Sequence, residues 1–131
     1  MEGGCFCGAI RYRIDGPLRR TTHCHCIHCR RLSGAPFVTW AEAARAGFRV
    51  LSGTMASVES RPGISRRFCS TCGTQITYEN AATPESLDVT VGSLDDPSRV
   101  VPEDHVWADR MLPWVKLADG LPRFRRSRKD G

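Results

Sequence analysis

No run of apolar side chains in this 131-residue chain is longer than three residues. A membrane-spanning helix needs about 20 and a signal-peptide core about 7–15, so neither is expected, and the chain reads as a cytoplasmic protein. Aromatic residues are few, at 8%, and none falls in a recognisable nucleic-acid reading motif. No repeat of solenoid length recurs. Charge is also unremarkable: at 25% charged residues the chain has no surplus that would keep it disordered. The size suits one domain.

The net charge of +5 is unevenly placed. Arg123, Arg125, Arg126, Arg128 and Lys129 stand against Asp130 alone, so residues 123–131 carry +4 and the rest of the chain +1. The expected division is therefore one folded domain over 1–122 and a basic, flexible C-terminal tail over 123–131. Charge by itself is a weak argument for nucleic acid, and such binding is disfavoured.

The chain is rich in one residue, cysteine. Its seven cysteines lie at 5, 7, 24, 26, 29, 69 and 72. An odd number in a chain with no export signal argues against a disulfide framework. The spacings C-x-C, C-x-C-x-x-C and C-x-x-C are chelating distances. Zinc–sulfur bonds of about 2.3 Å on a tetrahedron place sulfurs about 3.8 Å apart. Cys5 and Cys7, two apart on a strand, would face one side. Cys69-Ser70-Thr71-Cys72-Gly73-Thr74 reads as a zinc knuckle, with the glycine allowing a tight turn. No ferredoxin spacing occurs, which favours zinc over an iron–sulfur cluster.

Seven thiolates divide into four and three. Cys5, Cys7, Cys69 and Cys72 complete one closed tetrahedron, the form of a structural zinc site. Cys24, Cys26 and Cys29 supply only three ligands, the pattern of a catalytic zinc with a position kept for water or substrate. A histidine could close this second site instead. His23 and His25 alternate with Cys24 and Cys26 and should point away, whereas His28 and His105 are not excluded by parity. Zinc with three thiolates carries −1, and an added substrate thiolate would make it −2. Arg30 and Arg31, directly after Cys29, are candidates to steady an anionic substrate there, and Arg66 and Arg67 precede Cys69. Phe37 and Trp40 are candidate lining residues of a substrate pocket, although aromatics at alternating positions are more often core.

Ile10, Tyr12 and Ile14 alternate with Arg11 and Arg13, the pattern of a half-buried strand. Further short strands are expected at Phe37–Trp40, Phe48–Leu51, Thr54–Glu59, Ser65–Phe68, Gln75–Tyr78 and Leu87–Val91, each bounded by turn residues. Helical turns are expected only at Cys26–Leu32 and Ala41–Ala46. The fold class is mainly β, with short antiparallel sheets.

Gly4-Cys5-Phe6-Cys7-Gly8-Ala9-Ile10, Cys24-His25-Cys26-Ile27-His28-Cys29-Arg30-Arg31, Ser33-Gly34-Ala35-Pro36-Phe37 and Arg67-Phe68-Cys69-Ser70-Thr71-Cys72-Gly73-Thr74 resemble the glutathione-dependent formaldehyde-activating (GFA) enzyme family, whose relatives include centromere protein V-like domains. Gly92–Pro97 and Pro102–Trp107 continue the resemblance. It implies a β-tent fold organised around two zinc ions: a structural one on Cys5, Cys7, Cys69 and Cys72, and a catalytic one on Cys24, Cys26 and Cys29. It also implies a carbon–sulfur lyase that joins glutathione and formaldehyde into S-hydroxymethylglutathione. Two other readings stay open: a non-catalytic zinc-stabilised binding module, and a glutathione-binding, redox-responsive protein.

Overall fold

The structure, a computed structural model, describes residues 1–130. Gly131, the last residue of the expected tail, lies outside the described residues. The strands are β1 (Glu2–Gly4), β2 (Arg11–Ile14), β3 (Arg19–Cys24), β4 (Val38–Ala44), β5 (Phe48–Ser52), β6 (Ala56–Arg61), β7 (Ile64–Phe68), β8 (Gln75–Asn80), β9 (Ser86–Thr90) and β10 (Asp104–Val106). One α-helix, α1 (Ile27–Ser33), accompanies them, with short 3-10 turns between strands. Among the described residues no helix is long and apolar enough to cross a membrane.

Two compact units result. The first comprises Met1–Arg19 and Ala41–Val100, the second Arg20–Trp40 and the residues from Val101 on. In the first unit β1, β2 and β5 form an antiparallel sheet in which Gly3 lies opposite Tyr12 and Ile14 opposite Phe48. The strands β6 to β9 form successive antiparallel pairs. The period-two pattern of β2 decides which face is buried. Ile10, Tyr12 and Ile14 are at most 2% exposed, whereas Arg11 reaches Asp95 at 2.8 and 2.6 Å and Arg13 reaches Asp15 at 3.0 Å. Ile76, Leu87, Val89, Val91 and Leu94 complete the core, and Cys5 and Cys69 belong to it.

Ala41–Ala46, expected as a helical turn, is instead the second half of β4 followed by a 3-10 turn at Arg45–Gly47. Alanine favours helices in isolation, but Ala41 and Ala43 are fully buried while Glu42 and Ala44 are not. Burial on alternate residues outweighs the local preference. Arg66 and Arg67, read as possible counter-charges, are absorbed by the sheet itself. Arg66 stacks over Tyr78 at 5.0 Å and donates to Ser60 at 3.2 Å. Arg67 pairs with Glu79, which also accepts from Arg45 at 2.7 Å.

In the second unit β10 runs parallel to β3, with His105 opposite His23 and Val106 opposite Cys24. Parallel pairing requires a long connection, and here some eighty residues separate the strands. Neither strand was expected, because Arg19-Arg20-Thr21-Thr22 and Asp104-His105 read as polar. The segment expected to be a basic tail hydrogen-bonds along β10. Phe124 donates to the His105 carbonyl at 2.8 Å and Trp107 to that of Arg126 at 2.8 Å. Arg128 donates to the Asp104 carboxylate at 2.6 Å.

Candidate metal centres and the buried histidine chain

Cys5 and Cys7 sit in the turn after β1 rather than on a strand, which corrects the strand-parity reason for pairing them. The turn itself brings the two sulfurs together. Gly8 adopts φ +83° and donates to the Cys5 carbonyl at 3.2 Å, and Cys5 donates to Ile10 at 3.1 Å. The β7–β8 turn has the same construction. Gly73, also at φ +83°, donates to the Cys69 carbonyl at 2.8 Å. A Cβ-bearing residue enters this left-handed region only at a cost, which is why glycine follows the last cysteine of each knuckle.

The four thiols of Cys5, Cys7, Cys69 and Cys72 lie within 4.8 Å of one another. Cys7 Sγ is 3.6 Å from Cys5 Sγ and 3.8 Å from Cys69 Sγ, the edge length of a tetrahedral zinc–thiolate site. Backbone N–H groups already point at sulfur: Ile10 donates to Cys5 Sγ at 3.2 Å and Cys72 to Cys69 Sγ at 3.5 Å. Thr74, 3.2 Å from Cys72 Sγ, brings that thiol down to about 5, so it is a thiolate at neutral pH. The donor set fits zinc in number, softness and spacing.

Cys24, Cys26 and Cys29 form a second group, again within 4.8 Å. Cys24 ends β3, Cys26 caps α1, and Cys29 lies in the helix's first turn. The cap is a thiol: Cys26 Sγ accepts the Cys29 N–H at 3.3 Å. Gly34, at φ +68°, closes the helix by donating to the Arg30 carbonyl at 2.7 Å. Cys24 and Cys29 are buried and Cys26 is half-buried. Hydrogen bonding with the thiols of Cys26 and Cys29 raises the Cys24 thiol above its ordinary value, so a metal cation entering here displaces protons. Among the described residues no histidine or carboxylate joins these three thiols within that distance.

The histidines instead form a structure of their own. His25 Nε2 is 2.9 Å from His105 Nδ1, and His105 Nε2 is 2.8 Å from Asp119 Oδ2. Both rings are fully buried. His23 bonds Thr39 at 2.8 Å, and its ring lies 5.0 Å from those of His105 and Phe37. Burial, then the neighbouring His105, pulls His25 down to about 4, so it is neutral at neutral pH. Strand parity had foreseen that His23 and His25 turn away from the thiols. Asp119 was missed: a single Asp-Gly in a loop gives no local sign of a histidine partner.

Among the candidate substrate contacts, Arg30 keeps a buried Nε with no hydrogen-bond partner, and Arg31 is exposed. Phe37 is half-buried and packs on the His25 ring at 5.1 Å, and Trp40 is buried at 4% exposure.

The family model described as glutathione-dependent formaldehyde-activating enzyme matches residues 1–110. A curated protein of Halomonas elongata, provisionally named a glutathione-dependent formaldehyde-activating enzyme, is 26% identical over 127 residues, covering 89% of this chain and 80% of that one. The crystal structure of a Rhodobacter sphaeroides protein shares the fold, with a TM-score of 0.61 at 22% identity, covering 94% of this chain and 99% of that chain. With most of its length matched and its seven cysteines gathered as four and three, this chain belongs to the glutathione-dependent formaldehyde-activating enzyme family.

Proposed function

We propose that the chain is a zinc-dependent carbon–sulfur lyase-type enzyme that joins a thiol to a small aldehyde, with glutathione and formaldehyde giving S-hydroxymethylglutathione. The observation that carries this reading is the unequal pair of thiol clusters, one with a full tetrahedron of protein sulfurs and one with three. The four-thiol cluster is then structural and the three-thiol cluster catalytic. Zinc bound by Cys24, Cys26 and Cys29 supplies Lewis acidity, which makes a thiol more acidic and an aldehyde carbon more electrophilic. In the overall step the thiol sulfur bonds to the aldehyde carbon, and the thiol proton ends on the aldehyde oxygen.

The protein's own residues position the reactants. Cys26, the half-buried member of the trio, marks the accessible side of the cluster. The unpaired Arg30 Nε is a donor for the charge of an anionic thiol substrate, with Arg31 as a second cation. Half-buried Phe37 supplies apolar surface, whereas Trp40, at 4% exposure, is core rather than pocket lining.

Two zinc ions per chain are expected by elemental analysis after zinc-replete expression. One zinc, or iron with visible charge-transfer colour, would sink the two-site reading. The adduct also forms without a catalyst, so activity is measured as equilibration rate against the Cys26→Ser variant. Wild type should exceed the variant by at least about 100-fold, the scale of losing a catalytic electrophile. Equal rates would remove the proposed activity and favour a zinc-stabilised binding module.

A further inference from the structure

The chain of hydrogen bonds from Asp119 to His25 ends at an unusual place. His25 Nδ1 is buried and has no hydrogen-bond partner. The direction of the chain can be worked out from its far end. Asp119 Oδ1 accepts the Leu121 N–H at 3.1 Å, and Oδ2 faces His105 Nε2, so the carboxylate accepts on both sides. A proton therefore sits on His105 Nε2. Only one nitrogen of the His25 Nε2–His105 Nδ1 contact can donate, and a proton on buried His25 Nδ1 would have no acceptor. His25 therefore carries its proton on Nε2 and donates it to His105 Nδ1, and His25 Nδ1 is left as a bare lone pair.

We propose that Asp119 and His105 are positioning residues for the three-cysteine centre: they fix His25 as its Nε2–H tautomer and so lock the segment between Cys24 and Cys26. This rests on the reading of Cys24, Cys26 and Cys29 as a metal site. His25 is the middle residue of that C-x-C. Its ring is held by His105 at one edge and by Phe37 at 5.1 Å, and its backbone N–H donates to the Val106 carbonyl at 3.1 Å. A residue so held fixes the backbone dihedrals that separate the two flanking sulfurs. The partners of metal-site residues tune a site in this way without touching the ion.

Asp119→Asn is the informative variant because it keeps the shape and inverts the chemistry. If the Asn carbonyl keeps the Leu121 N–H, its amide must donate to His105 Nε2. Every tautomer along the chain then reverses, and His25 carries its proton on Nδ1, where the structure offers no acceptor. A buried N–H without an acceptor is tolerated less well than a bare acceptor. The ring must move to relieve it, and the sulfurs on either side move with it.

The test uses the full chain. In zinc-loaded wild type with ¹⁵N-labelled histidine, long-range proton–nitrogen correlations should place the proton on Nε2 of both His25 and His105. A proton on His25 Nδ1 overturns the proposal, and this measurement needs no variant to fold. In cobalt-loaded protein, Asp119→Asn should shift the ligand-field bands of the three-cysteine centre. It should also raise transfer of that cobalt to a chelator about tenfold, leaving the four-cysteine centre unchanged. Unaltered bands and transfer in the folded variant overturn the positioning role. Wild type that takes cobalt only at the four-cysteine cluster overturns the metal reading instead, a result distinct from either.

Discussion

Cys69→Ser is expected to yield insoluble or molten protein, whereas Cys24→Ser stays folded and loses only its second zinc and its activity. Cys69 is 2% exposed and belongs to the hydrophobic core of the first unit, beside Cys5. Its cluster ties the turn at residues 5 and 7 to the turn at 69 and 72, and Cys7 and Cys69 are 62 residues apart in sequence. No preformed site of that kind exists in the unfolded chain, so zinc binding there is folding free energy. Structural zinc contributes on the order of 10 kcal/mol, as much as the whole stability of a typical domain. Cys24, Cys26 and Cys29 fall within six consecutive residues. Closing so short a loop removes little chain entropy, so this site adds far less to folding. Thermal melts with zinc counts on both variants decide the matter. Cys24→Ser unfolding as badly as Cys69→Ser would make the central site structural and remove the catalytic reading.

Gly3→Ala should cost about 3 kcal/mol or more, although it adds a single methyl group. A Cβ at Gly3 would stand 2.4 Å from the Tyr12 hydroxyl oxygen and 2.6 Å from the Ser93 carbonyl oxygen. Tyr12 cannot swing aside, because its ring is fully buried and its hydroxyl is bonded to Ser93 Oγ at 2.7 Å. Relief therefore requires moving β1 off β2, which also displaces the turn that carries Cys5 and Cys7. Gly92→Ala is the control: a Cβ there meets nothing within 4 Å, and a change within about 0.5 kcal/mol is expected. Denaturant melts of the two variants measure the difference. Equal stabilities would show that β1 and Tyr12 are not packed as described.

Chelation and strand alternation were legible in the sequence because both are local. Two sulfurs separated by one or two residues can reach the same ion, so the three chelating groups 5/7, 24/26/29 and 69/72 could be read before any fold was known. Joining the first and last pairs into a set of four rested on completing a tetrahedron, and the contact itself spans 62 residues. The β2 pattern was legible for the same reason: side chains two apart on an extended chain share a face, and Ile10, Tyr12 and Ile14 are all buried. The family resemblance followed from these same cysteine motifs.

What only the tertiary structure decided depends on partners far away in the chain. Ala41 and Ala43 became strand because both are buried on one face, a fact absent from their own helical preference. The polar β3 and β10 became strands because each supplies the other's ladder across some eighty residues. Arg66 and Arg67 are held by Ser60, Tyr78 and Glu79, so they are not free to serve as counter-charges, and only the register of β7 beside β8 could show it. His25, His105 and Asp119 stand 80 and 14 residues apart, and nothing in their local sequence marks one as the partner of the next. Their hydrogen-bond chain exists only because parallel pairing sets β10 beside the strand that ends in the C-x-C, and because the loop after it returns a carboxylate to a ring already sealed from water.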